Sequence, residues 1–570
     1  MSPRILAAAL AAALASPAFA VTPAPSESAR FRELVDHYYD EYPRFHPSAA
    51  TELGLHQHDA ELESLSAESR RALAAWLHDY ARRVAALDAA RLTPAEQIDL
   101  ATLKAGLDSS LVELEDVQGW QHRPDAYTGL ASRSIYSIIK RDFAPADERL
   151  RSVIAREEKI PALLAEGKKN LSGVSKVSVE IALDEIDGIR DFFAKDVPLA
   201  FAAVKDKALR ARLDAATKGV VLALVDYREF LKRDIQPHAN APFAIGEARF
   251  RKKLHADELI DAPLDELLQR GEAELRRLQA EFKATAQKID PKKSAVEVQA
   301  LMQKDHGTAE RLIADTQARL AGLRKFLVDK QIVSLPSEIM PRVEETPPFM
   351  RATTLASMET PGAFETRATE AYYNVTLPEK SWSAEQIENY LGGAFSRPTI
   401  DVTSIHEAFP GHYVQYLWIP RLSSKVRKVE GVSTNVEGWA HYCEQMMLDE
   451  GYGAGDAKLR LAQLQDALLR AARFVVGIRM HTRGMTFEQG VEFFQREGFQ
   501  EHKVAEMETR RGTEDPTYLY YTLGKLEILR LRDDYRRKLG AAYSLRKFHD
   551  AFLGEGAIPL PLMRRALLAE

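Results

Sequence analysis

Apolar residues that return every three or four positions, between well-marked helix starts, constrain this chain more than any other feature. Leu73, Trp76, Leu77 and Tyr80 form one such stripe, with Arg and Asp in the gaps, and the spacing puts them on one helix face. Thr93-Pro94-Ala95-Glu96 is a capping box with Pro at the first helical position, and Ser294 with Glu297, Ser383 with Gln386 and Thr486 with Gln489 repeat it. Segments 264–288 and 297–330 read as long amphipathic members of a helical assembly. No fixed-period repeat is present, which argues against a solenoid. The expected fold class is mainly α.

One region departs from this pattern. From Ile332 to Leu377 the chain is rich in Pro, Thr, Val and aromatic residues, with Glu370-Ala371-Tyr372-Tyr373-Asn374-Val375-Thr376 as the best strand candidate. A small β-sheet is expected there, just before the chemical motif described below. Its edge would suit an extended peptide, which can add as a further strand and reach Tyr373. A purely structural hairpin is the other reading.

The 570 residues carry 77 Lys+Arg against 83 Asp+Glu, a formal net charge of -6, which excludes the basic character of a nucleic-acid binder. The hydrophobic fraction of 45% is that of a folded globular protein and excludes disordered and collagen-like classes. Met1–Arg4 is positively charged, Ile5–Ala15 is an apolar run, and Ala18-Phe19-Ala20 is an A-x-A site. That is signal-peptide grammar, so the mature chain is expected to start near Val21 and to reach the periplasm. The run is too short for an ordinary membrane span, and no cysteine near the cleavage point offers a lipid anchor. The single cysteine, Cys443, permits no internal disulfide and reads as a buried thiol.

The strongest chemical feature is Thr403-Ser404-Ile405-His406-Glu407-Ala408-Phe409-Pro410-Gly411-His412. Two histidines with an adjacent glutamate resemble the H-E-x-x-H motif, where both His bind metal and the Glu is the general base. Here five residues separate the histidines instead of three. Six steps on an ideal helix leave the side chains about 120° apart. A shared metal therefore requires a widened helix, such as a π-bulge, or a break at Pro410 and Gly411.

Downstream, Glu437, His441 and Glu444 recur at i, i+4 and i+7 in Asn435-Val436-Glu437-Gly438-Trp439-Ala440-His441-Tyr442-Cys443-Glu444, one face of a second helix. Glu437 completes a His₂Glu catalytic zinc set, and Glu444 is placed to orient a ligating His. His441 reads as a substrate contact, a support for the ligands, or a satisfied core histidine. A third element, Arg510-Arg511-Gly512 through Tyr520-Tyr521-Thr522-Leu523-Gly524-Lys525, offers donors for a developing oxyanion, Tyr521 first. Arg510 or Arg511 suits a substrate carboxylate. Packing of an aromatic helix start is the competing reading for each.

The set H-E-A-F-P-G-H, E-G-W-A-H-Y and Y-x-x-G-K, with His46-Pro47-Ser48-Ala49-Ala50-Thr51-Glu52-Leu53-Gly54 near the start, resembles domain-of-unknown-function family 885 over nearly all of the mature chain. That family is mostly helical and placed by similarity among metallopeptidases related to carboxypeptidase Taq and the thimet-type oligopeptidases. The resemblance implies His406, His412 and Glu437 as ligands of one zinc ion, Glu407 as base and Tyr521 as a site tyrosine. It also implies a large two-lobed helical assembly. Residues 1–20 would be the signal, 21–240 an N-terminal helical lobe and 241–570 the metal-binding lobe, the two lobes forming one continuous domain.

The expectation is thus a secreted, periplasmic zinc peptidase acting on short peptides, with no nucleic-acid partner and no membrane contact after signal cleavage. Metal-dependent hydrolysis of a non-peptide amide or ester is the enzymatic alternative. A helical binding protein without turnover is the other, although such a protein has no need of Glu407.

Overall fold

All four capping boxes start helices, and in each the Ser or Thr side chain and the Glu or Gln three residues on satisfy one another's backbone N–H groups. The computed structural model describes residues 26–347, 350–351 and 354–569; the expected signal segment lies outside them. The described chain is mainly helical, with one small sheet. Among the described residues no helix is long and apolar enough to cross a membrane.

The first long helix expected, 264–288, is Leu264–Ile289. The second, 297–330, is instead two helices, Ala295–Gln303 and Leu312–Asp329. Between them the chain is held by tertiary bonds. Arg397 N–H donates to the Asp305 carbonyl at 2.8 Å, and the Arg397 guanidinium meets the Asp305 carboxylate at 3.1 Å. An apolar stripe records which face is buried, but not such a tether, so the helical pattern hides this break.

The expected sheet forms from β1 (Arg342–Glu345), β2 (Ala356–Glu359) and β3 (Tyr372–Val375). β3 is central, parallel to β1 and antiparallel to β2, with Tyr373 opposite Val343 on one side and Met358 on the other. β2 is thus an edge strand. The sheet shares a core with the chemical motifs: Val343, Tyr373 and Val375 belong to the same buried cluster as Ile405, Trp439 and Phe552. A separate core of residues from Tyr127 to Leu231 gains only Ala368 from later in the chain. A third, from Phe31 to Leu107, closes on Val426.

Candidate metal centre

The helix Arg397–Glu407 is capped by Ser396, whose hydroxyl accepts from Thr399 N–H, and ends on the two residues that open the motif. The chain then breaks instead of widening into a π-bulge. Phe409–Pro410 is a cis peptide, Gly411 N–H returns to the Ile405 carbonyl at 3.0 Å, and a second helix starts at His412. Trp439 anchors the break by donating its indole N–H to the Pro410 carbonyl at 3.0 Å. A Cβ on Gly411 would lie 1.8 Å from the His406 carbonyl oxygen, so only glycine fits. The break solves the angular problem of the five-residue spacing, bringing the His406 and His412 rings to 4.8 Å between centroids.

The helix Ser433–Asp449 presents Glu437 to this pair. Glu437 Oε2 lies 3.4 Å from His406 Nε2 and 3.5 Å from His412 Nε2, and the three ligand atoms all lie within 4.8 Å of one another. Tetrahedral zinc ligands at about 2.0–2.1 Å from the ion stand about 3.3–3.4 Å apart. Glu437 Oε2 is buried without a hydrogen-bond partner, an arrangement that is costly unless a cation is accommodated. The residues therefore fit a zinc ion.

Electrostatics agree with that fit. Burial opposes a charge on His406, but Glu437 and Glu444 outweigh it and carry the imidazole up to about 9. For Glu437, burial is outweighed by His412 and His406, which hold the carboxyl well below its usual range. The site's carboxylates thus favour positive charge at the ring nitrogens. Glu444 accepts from His406 Nδ1 at 2.7 Å and from His441 Nδ1 at 3.0 Å. The first bond leaves His406 Nε2 as the ligand atom. Burial, opposed by Glu444, keeps His441 down to about 3 and therefore neutral. His441 is fully buried and its Nε2 has no partner, so it supports the ligands' neighbour and does not meet substrate. Glu407 is buried too, and forms no hydrogen bond or ion pair among the described residues.

Tyr521 stands on the far side, its ring 6.5 Å from that of His406. Arg511 donates to its hydroxyl at 3.0 Å, and Arg470 and Arg473 lie 5.6 and 4.9 Å from the ring centroid. Burial and Glu437 raise its pKa, with Arg511 and Arg473 pulling the other way. The phenol therefore remains a protonated donor. Its place depends on two glycines. The helix Tyr520–Leu539 crosses Ser433–Asp449 so closely that a Cβ on Gly438 would meet Gly524 Cα at 2.6 Å, and one on Gly524 would meet the Thr434 carbonyl oxygen at 2.0 Å.

One expected residue falls elsewhere: Arg510 points about 100° away from Arg511 around their helix and pairs with Asp184 at 2.7 Å. Tyr373 is 1% exposed, its hydroxyl 3.5 Å from Ser404 Oγ; burial and the nearby Glu407 carboxylate raise its pKa, so it braces the His406 helix from behind the site. Conversely, sequence reasoning missed Tyr416, stacked on His412 at 6.0 Å. It also missed Arg470 and Arg473, held by Glu444 at 3.1 Å and by both oxygens of Glu508 at 2.6 and 2.8 Å. Their signal was available: Tyr416 follows His412 by four residues, and Asp466, Arg470 and Arg473 share one face of a long, largely buried helix.

A bacterial protein family of unknown function, DUF885, matches residues 47–567. The chain belongs to this family. Among solved structures, the chain is similar to a protein from Shewanella oneidensis named only as a lipoprotein of unknown function. It is 27% identical, with a TM-score of 0.77, covering 94% of this chain and 99% of that one. A protein from Colwellia psychrerythraea, likewise named as a lipoprotein, gives a TM-score of 0.81 at 17% identity, covering 95% and 99%; this second likeness concerns the fold. No curated protein matches the chain.

Proposed function

We propose that this chain is an exported zinc peptidase that hydrolyses short peptides. The observation that carries the reading is the convergence of His406 Nε2, His412 Nε2 and Glu437 Oε2, with the unpaired carboxylate of Glu407 on the residue next to His406. A zinc ion held by these three would make a water nucleophilic at neutral pH and polarise the scissile carbonyl. Glu407 takes the proton of the attacking water and delivers it to the leaving amine. Tyr521 donates to the oxyanion as it develops, with Arg511 keeping its hydroxyl oriented. Glu444 fixes the His406 tautomer. Export to the periplasm accords with the signal-like first twenty residues and with the lipoprotein names of the two similar structures.

The test is cleavage of a defined peptide library by the zinc-loaded mature protein, read by mass spectrometry beside Glu407→Gln. Cleavage by the parent alone, with equal metal in both, supports the reading. Equal cleavage by both, or no cleavage by a fully loaded parent, overturns it, and the second outcome directs attention to non-peptide amides and esters.

A further inference from the structure

Two tyrosines flank the two histidines of the metal centre. Tyr521 stands against His406, and its hydroxyl is already engaged by Arg511. Tyr416 stands against His412, one turn further along the same helix, with ring centroids 6.0 Å apart. Its hydroxyl has no hydrogen-bond partner among the described residues, and part of the residue is open to solvent. Tyr416 is also close to both site carboxylates: burial first, then Glu437 and Glu407, push its pKa up. The phenol is thus a neutral donor at the edge of the reacting groups, with its proton uncommitted.

Tyr416 is where this centre meets a cavity of about 450 Å³, within the range of small-molecule sites. One wall is the end of β2, with Met358 and Thr360, and the facing wall comes from N-terminal helices and includes Tyr136. β2 in turn packs against the helices that carry His406 and His412. Charges in the lining are answered within it. Glu365 pairs with His56 at 3.0 Å, while Arg141 acts on Glu359 and Arg133 on Glu185. Neither sign prevails, so a ligand is recognised there by shape and by neutral hydrogen bonds. A carboxylate at the Tyr416 hydroxyl would in addition stand against Glu407 and Glu437. The acceptor that suits this donor is therefore an uncharged oxygen, such as the carbonyl of a peptide bond.

We propose that this cavity is the substrate subsite beside the metal centre, and that Tyr416 donates its hydroxyl proton to a main-chain carbonyl of a short peptide lying in it. This rests on the peptidase reading above. Tyr416 then holds the substrate, whereas Tyr521 serves the oxyanion.

The test compares the zinc-loaded parent with Tyr416→Phe, which keeps the ring on His412, and with Thr360→Trp, which fills the cavity from the β2 wall. Two five-residue peptides of one sequence serve as probes, one with a free and one with an amidated carboxyl end. Tyr416→Phe should raise KM for both on the order of 3- to 10-fold, the worth of one neutral hydrogen bond. Its kcat should change little, the mark of a contact made equally in ground and transition states. Zinc content and the urea midpoint should stay parental. Thr360→Trp should raise KM for both peptides as well. Parental KM in either variant overturns the proposal, and so does loss of zinc or a fall in kcat alone in Tyr416→Phe. An effect confined to the free acid would assign the contact to a carboxylate and also overturn it. In each of these cases the peptidase reading stands. Should no peptide be cleaved, calorimetry on zinc-loaded Glu407→Gln decides. Peptide binding that weakens on adding Tyr416→Phe keeps the subsite and drops the peptidase reading. Binding that is absent, or unchanged by Tyr416→Phe, overturns the subsite.

Discussion

Glu444 Oε1 lies 2.7 Å from Nδ1 of His406, although Glu444 comes from the same helix as Glu437, two turns further on. One helix therefore supplies both a carboxylate facing Nε2 of that imidazole and the carboxylate that fixes its other nitrogen. Arg470 at 3.1 Å and His441 at 3.0 Å hold Glu444 in turn.

Replacing Glu444 by Ala should weaken zinc binding by about 10- to 100-fold, as loss of a ligand's orienting partner does elsewhere. Competition with a chromophoric chelator measures it. Zinc affinity equal to the parent would show that the tautomer of His406 is set by something else.

Gly411→Ala places a Cβ against the His406 carbonyl. The variant should lose about 2 kcal/mol or more of stability, the scale of forced overpacking, and its zinc with it. Urea unfolding and metal analysis read both effects. Parental stability with full zinc loading would mean that the break relaxes freely.

Tyr521→Phe removes the hydroxyl while leaving the ring among its arginines. kcat should fall on the order of 10²-fold, the usual cost of one oxyanion donor, with zinc content unchanged and KM little altered. A variant with parental kcat removes Tyr521 from the chemistry.

The helix that bears Glu437 starts under a carboxylate from elsewhere in the chain. Glu258 accepts from Thr434 N–H at 3.1 Å and also from its hydroxyl. Burial, opposed by these bonds, pushes Glu258 from 4.5 up to about 8. Between those values the folded state binds more protons than the unfolded one, so this group's contribution to stability falls as pH rises through that window. Glu258→Gln should flatten that decline, gaining on the order of 1–3 kcal/mol relative to the parent between pH 5 and pH 8. Urea unfolding at the two pH values checks it, and an unchanged slope would assign the decline to other groups.

Much of this was legible in the sequence because it is local. A capping box is complete within four residues, which is why Thr93, Ser294, Ser383 and Thr486 each mark a real helix start. The i, i+4, i+7 spacing likewise placed Glu437, His441 and Glu444 on one face. What escaped depends on partners distant in sequence. The break within 297–330 is held by Arg397, and which of Arg510 and Arg511 faces the site depends on how their helix packs, Arg510 meeting Asp184 on another helix. Tyr416 was passed over because an aromatic four residues after a histidine is ordinary packing until the cavity beside it is known. The five-residue spacing showed that the motif must bend, and Trp439 with Gly411 shows how.

The glycine pair at the crossing of the two site helices has a consequence for how the protein can change. Gly438 and Gly524 belong to separate motifs, E-G-W and Y-x-x-G-K, yet each leaves room for the other's backbone. The gap between Tyr521 and the Glu437 helix is consequently fixed by main chain against main chain, with no side chain whose size mutation can adjust. Evolution or engineering of new preferences has little freedom there.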